Sequence, residues 1–151
     1  MGAISIDFIR GSTLVGLALL ALPAGAEVCT AIRHEMLTVK ADREQWTSAA
    51  LKIHPRDVIL VYASGRVQTT AAAAPVGPKG FADGDGELEM KVGTGTVVPT
   101  GSRWFGSFRD YGTLMFRVAG HHREALAGSF RVNLVVIPAD TFPDPVQLDT
   151  E

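Results

Sequence analysis

The chain has 151 residues, 46% hydrophobic and 20% charged, with 14 Lys and Arg against 16 Asp and Glu for a net charge of −2. That balance carries no basic footprint for nucleic acid and nothing that an anionic membrane surface would attract. Cys29 is the single cysteine, so no intramolecular disulfide can form and stability must come from burial and backbone pairing.

Residues 1–26 read as a cleavable export signal. Arg10 gives a weakly positive start that Asp7 offsets, and Leu14 to Leu22 form an uncharged apolar run. Pro23 breaks the run, and Ala24-Gly25-Ala26 places small residues where a signal peptidase requires them. The run is about half of the ~20 residues that span a bilayer, so stable membrane insertion is not expected. The competing reading is a buried terminal strand or helix. Cleavage after Ala26 would leave enough chain for one hydrophobic core and too little for two ordinary domains. The expected address is the periplasm or the extracellular space. A lipoprotein anchor would need a small residue before Cys29, and Val28 stands there.

From residue 27 onward the hydrophobic period is two. Leu37 to Ala41 and Ala49 to Ile53 are short strand candidates, followed by Asp57 to Ala63, apolar on both faces as in a central, doubly covered strand. His54-Pro55-Arg56-Asp57 and Ser64-Gly65 read as turns, the second separating a further strand at Arg66 to Thr70. Thr69 to Asp85 holds four consecutive alanines and a Gly/Pro-rich stretch, and reads as a long surface loop. Leu88, Met90 and Val92 alternate with Glu87, Glu89 and Lys91; Arg103 to Phe108 is a short strand; Leu114, Phe116 and Val118 alternate with Thr113, Met115 and Arg117. Phe130, Val132, Leu134 and Val136 form the last apolar row, and residues 138–151 make an acidic, Pro-rich tail. Roughly eight short strands at this spacing predict an all-β jelly-roll-like sandwich over residues 27–137.

The same segments carry a resemblance. Trp46, LKIHPRDVILVYASG (Leu51 to Gly65), VGPKG (Val76 to Gly80), ELEMKVG (Glu87 to Gly93), GTLMFRV (Gly112 to Val118) and AGSFRVNL (Ala127 to Leu134) occur in order over about 100 residues. In that pattern the chain resembles the calcium-dependent galactophilic bacterial lectins of the PA-I type. The resemblance implies an eight-stranded, galactose-binding-domain-like sandwich with a calcium ion and a sugar at one end. It also implies a dismantled site. The family's calcium-binding Asn-Asp pair falls on Ala119-Gly120, its later asparagine pair falls at about Ala125-Leu126, and the loop matching Gly80 to Leu88 lacks the family's sugar-contacting His and Gln. Calcium takes six to eight oxygen ligands, and at least three are gone. No cofactor is expected, with calcium disfavoured.

Several clusters remain to be weighed. Asp83, Asp85, Glu87 and Glu89 crowd the stretch FADGDGELE, without the spacing of a helix–loop–helix calcium site. An Asx-rich turn followed by the wet face of a strand is the simpler account; a weak calcium site is the alternative. His121-His122-Arg123-Glu124 fall in the loop where the lectins bind ligand, as a solvated polar loop or as direct ligand contacts. Adjacent histidines point apart in extended backbone, which disfavours a shared metal. Trp104, Phe105, Phe108 and Tyr111 cluster about a hairpin, where Trp104 and Tyr111 could form an aromatic platform; alternation buries Trp104 or Phe105 but not both. Trp46 reads as core or sandwich-edge packing. No GxSxG elbow, HExxH or phosphate-cradling loop is present. The expectation is a non-catalytic module that recognises a glycan or a protein partner through Thr70, Asp83, Asp85 and residues 121–124. The rival is a structural or assembly protein of the cell envelope, and self-association is left open.

Overall fold

A computed structural model describes residues 32–120 and 127–141. We number its strands β1 (Arg33–Lys40), β2 (Thr47–Ile53), β3 (Val58–Gln68), β4 (Leu88–Val92), β5 (Val98–Pro99), β6 (Arg103–Gly106), β7 (Gly112–Val118) and β8 (Ala127–Ile137). Two antiparallel four-stranded sheets result, with orders β1-β8-β3-β6 and β2-β7-β4-β5. Every connection but β4–β5 crosses between the sheets, in the manner of a jelly roll, so the all-β sandwich predicted from the alternation is the fold observed. Residues 1–26, read as an export signal, and Cys29 lie outside the described residues, and no described helix is long and apolar enough to cross a membrane.

The core is the inner set of the alternating residues. Val39, Ile59, Val61, Phe130, Val132, Leu134 and Val136 from the first sheet meet Ile53, Leu88, Met90, Leu114, Phe116 and Val118 from the second, all essentially fully buried. Burying each such side chain stabilises the fold by about 1.5–3 kcal/mol before entropy is counted.

The two strands expected at Asp57 to Ala63 and Arg66 to Thr70 are one. Ser64-Gly65 does not turn: it lies within β3, which pairs with β8 without a break from Val58↔Ile137 to Gln68↔Ala127. Gly65 has φ +112°, and a Cβ there would sit 2.5 Å from the Ser129 carbonyl oxygen. The glycine admits a close strand approach that looks like turn chemistry in the sequence. Nor is β3 covered on both faces, for Leu60 is half-buried and Tyr62 is exposed on its outer side. The short strand β5 had no clear periodic signal.

Two carboxylates tie the sheets together. The pairing of β2 with β7 slips between Ser48 and Lys52. At the slip, Glu35 of β1 accepts hydrogen bonds from the Ala50 and Leu51 amides at 2.8 and 2.9 Å. A side chain of one sheet thus satisfies backbone donors of the other. At the first residue of β1, buried Asp57 accepts from Arg33 Nη2 at 2.8 Å, the His54 amide at 2.9 Å and the Ala139 amide at 3.1 Å. These bonds pin the β2–β3 turn, β1 and the exit of β8, where Ala139–Thr141 form a 3-10 turn. The rest of the acidic tail lies outside the described residues.

Candidate functional site

The end of the sandwich beyond β7 and before β4 brings distant loops together. The Gly86 amide donates to the Ala119 carbonyl at 2.8 Å, and the Ala119 amide donates to the Glu87 carbonyl at 2.7 Å. The stretch before β4 folds on itself through Phe81 N to Asp85 O at 2.9 Å and Gly84 N to Phe81 O at 3.0 Å, while Asp83 Oδ1 receives the Asp85 amide at 3.1 Å. Gly86, at φ +76°, lies where a Cβ would come within 2.9 Å of the Val76 and Thr69 side chains. That packing fixes the acidic loop against the rest of the Thr69–Gly86 connection.

A cleft of about 510 Å³ opens here, lined by Asp83, Asp85, Glu87, Glu89, Arg117 and the backbone of Ala119-Gly120, with Val97 and Pro99 on its apolar side. Glu89 Oε2 pairs with Arg117 Nε at 2.8 Å. Burial, and then repulsion from Glu89, raise the pKa of Glu87 above the ordinary carboxylate value. The Arg117 guanidinium also lies 4.4 Å from the Trp46 ring centroid, as does the Lys91 ammonium. Trp46 is therefore half-buried on the outer side of the second sheet, holding two cations rather than filling the core. Carboxylates and one guanidinium around a small cleft suit a polyhydroxylated ligand, with the carboxylates accepting from hydroxyls and the arginine donating to ring or hydroxyl oxygens. Among the described residues no three His, Cys, Asp or Glu side chains gather as a metal would need.

The residues singled out from the sequence divide. Asp83 and Asp85 line the cleft. Thr70 does not: its Oγ1 accepts from the Ala73 amide at 3.1 Å and closes a turn at the start of the loop. His121, His122, Arg123 and Glu124 lie outside the described residues, although Gly120 brings the chain to the cleft wall. Trp104 and Tyr111 form no shared platform. Trp104 is turned inward, stacked on Phe108 with centroids 5.3 Å apart, and the exposed ring of that strand is Phe105. Tyr111 precedes β7, a strand length from the cleft, and packs beside His54 at 5.1 Å. Glu87 and Glu89, weighed with the acidic cluster but preferred as the wet face of a strand, complete the cleft together with Arg117 and Val97, which the sequence did not single out as site residues. Their alternation showed a wet face, but the β4–β7 pairing that sets Glu89 opposite Arg117 is long-range. A second cleft, of about 410 Å³ beside Arg33, His54 and Asp57, is lined by groups already engaged in holding the fold.

Fold and cleft together define a jelly-roll sandwich with an acidic end-loop site. No family model and no curated protein matches the sequence. Among solved structures, the chain is similar to the EclA N-terminal domain, a PllA-like lectin, with TM-score 0.59 and 22% identity, over 67% of this chain and 94% of that one. At that identity the likeness establishes a lectin-like fold.

Proposed function

We propose that the protein is an exported, non-catalytic carbohydrate-binding module that takes a glycan into the end-loop cleft without calcium. The observation that carries the reading is the junction of Gly86 and Glu87 with Ala119, which sets Asp83, Asp85, Glu87 and Arg117 around one opening. Support comes from the shared lectin-like fold and from ligand chemistry suited to sugar hydroxyls. Ala119-Gly120 supply no side-chain oxygen where the resembled lectins hold calcium, which favours direct sugar contacts.

A glycan array probed with and without chelator tests this. Wild type should bind a neutral glycan equally in both conditions, and the pair Asp83→Asn, Glu87→Gln should weaken binding about tenfold. Binding lost on chelation would remove the calcium-independent part of the proposal. A second reading, a structural or assembly protein, is favoured by the exposed Met36, Tyr62 and Phe105 on the outer side of the first sheet, which a different surface of another copy would cover. Absence of glycan binding together with concentration-dependent oligomers in light scattering would establish it instead.

A further inference from the structure

The outer face of the sheet β1-β8-β3-β6 has a composition unlike the rest of the molecule. Strand register places its outward positions in rows: His34, Val135, Leu60 and Phe105; then Met36, Asn133, Tyr62 and Arg103; then Thr38, Arg131 and Ser64; then Lys40, Ser129 and Arg66. Rows are separated by about 7 Å along the strands and neighbouring strands by about 4.8 Å. Lys40, Arg66, Arg103 and Arg131 are exposed, and no strand position of this face bears a carboxylate, although the whole chain is net negative. Among the described residues none of the four makes an ion pair. Phe105 is 72% and Tyr62 45% exposed, each beside Arg103: Tyr62 is its cross-strand partner and Phe105 lies two residues on.

A second copy of this face would bring like charges together, so self-stacking is disfavoured. We propose that this face binds a uronic-acid polysaccharide, at a site separate from the end-loop cleft. Guanidinium forks match planar carboxylates through two parallel N–H···O bonds, and three of the four cations are arginines. Tyr62 and Phe105 offer flat apolar surfaces to sugar rings, while Asn133, Ser64 and Thr38 lie between the cations to meet hydroxyls. The rows of outward positions follow one another along the strands, so an extended polymer can lie across several of them at once.

The test is binding of the full chain to polygalacturonate in low salt, with neutral dextran, poly-glutamate and oligothymidylate as parallel probes. Polygalacturonate should bind, and should weaken sharply in about 0.5 M salt, where the screening length is only a few ångströms. Arg103→Gln with Arg131→Gln should cost about tenfold, and Phe105→Ala with Tyr62→Ala about fivefold. These side chains point outward, so melting temperatures should stay close to wild type. Asp83→Asn with Glu87→Gln should leave polygalacturonate binding unchanged, which separates this face from the cleft. Equal binding of dextran, poly-glutamate or oligothymidylate, or indifference to the arginine pair, would overturn the proposal; so would loss of binding in the cleft variant.

Discussion

Replacing Asp57 with alanine removes one buried acceptor that three parts of the chain share. Asp57 is 2% exposed, and its carboxylate receives a guanidinium and two backbone amides, at 2.8, 2.9 and 3.1 Å. Hydrogen bonds to a charged partner contribute about 1.5–3 kcal/mol each, a gross loss of about 6 kcal/mol. Part returns, because the alanine carries no charge to keep out of water. Arg33, its side chain 29% exposed, also regains hydration and keeps its 2.7 Å bond to the Lys52 carbonyl. The amides of His54 and Ala139 have no such substitute. A net cost of about 3 kcal/mol follows, which in a domain near 100 residues lowers Tm by about 15 °C. Urea and thermal unfolding of D57A against wild type measure it. The cycle with Arg33→Met should show coupling of about 1 kcal/mol, since the Arg33–Asp57 pair is already broken in either single variant. A D57A cost below about 1 kcal/mol would refute the assignment of Asp57 as the clamp of this end.

Two further outcomes are expected. Gly65→Ala combines a positive φ with a methyl 2.5 Å from the Ser129 carbonyl oxygen and should cost about 3 kcal/mol in urea unfolding, with hydrogen exchange speeding first in β3 and β8. For Glu87 the folded pKa lies above the ordinary value, so its stabilising contribution is complete below the unfolded-state pKa and is lost as pH rises through the folded one. Glu87→Gln removes that dependence. The melting temperature of the variant relative to wild type should therefore climb from acid to neutral pH, and a flat difference would show that burial and Glu89 do not disfavour the ionised form.

The core was legible wherever alternation ran uninterrupted. Leu88, Met90 and Val92, then Leu114, Phe116 and Val118, then Phe130 to Val136 point inward as their period requires. Gly65 misled, because a glycine needed for close strand approach and a glycine needed for a turn look alike in sequence. The Trp104 and Phe105 pair was half legible: alternation showed that one ring must be outside, but which one depended on the pairing of β6 with β3. Asp83 and Asp85 were visible as a cluster. Arg117 and Glu89, 28 residues apart, became a pair only through strand register.

The sequence alone determined the all-β class, the inner row of each main strand and the position of the acidic loop, since hydrophobic period and turn chemistry are local properties. Tertiary structure decided which strands are neighbours, that residues 86 and 119 meet, and that four cations share one face with two exposed rings. Those facts rest on pairings between distant strands, whose partners are selected by burial of the whole core rather than by any single stretch of chain.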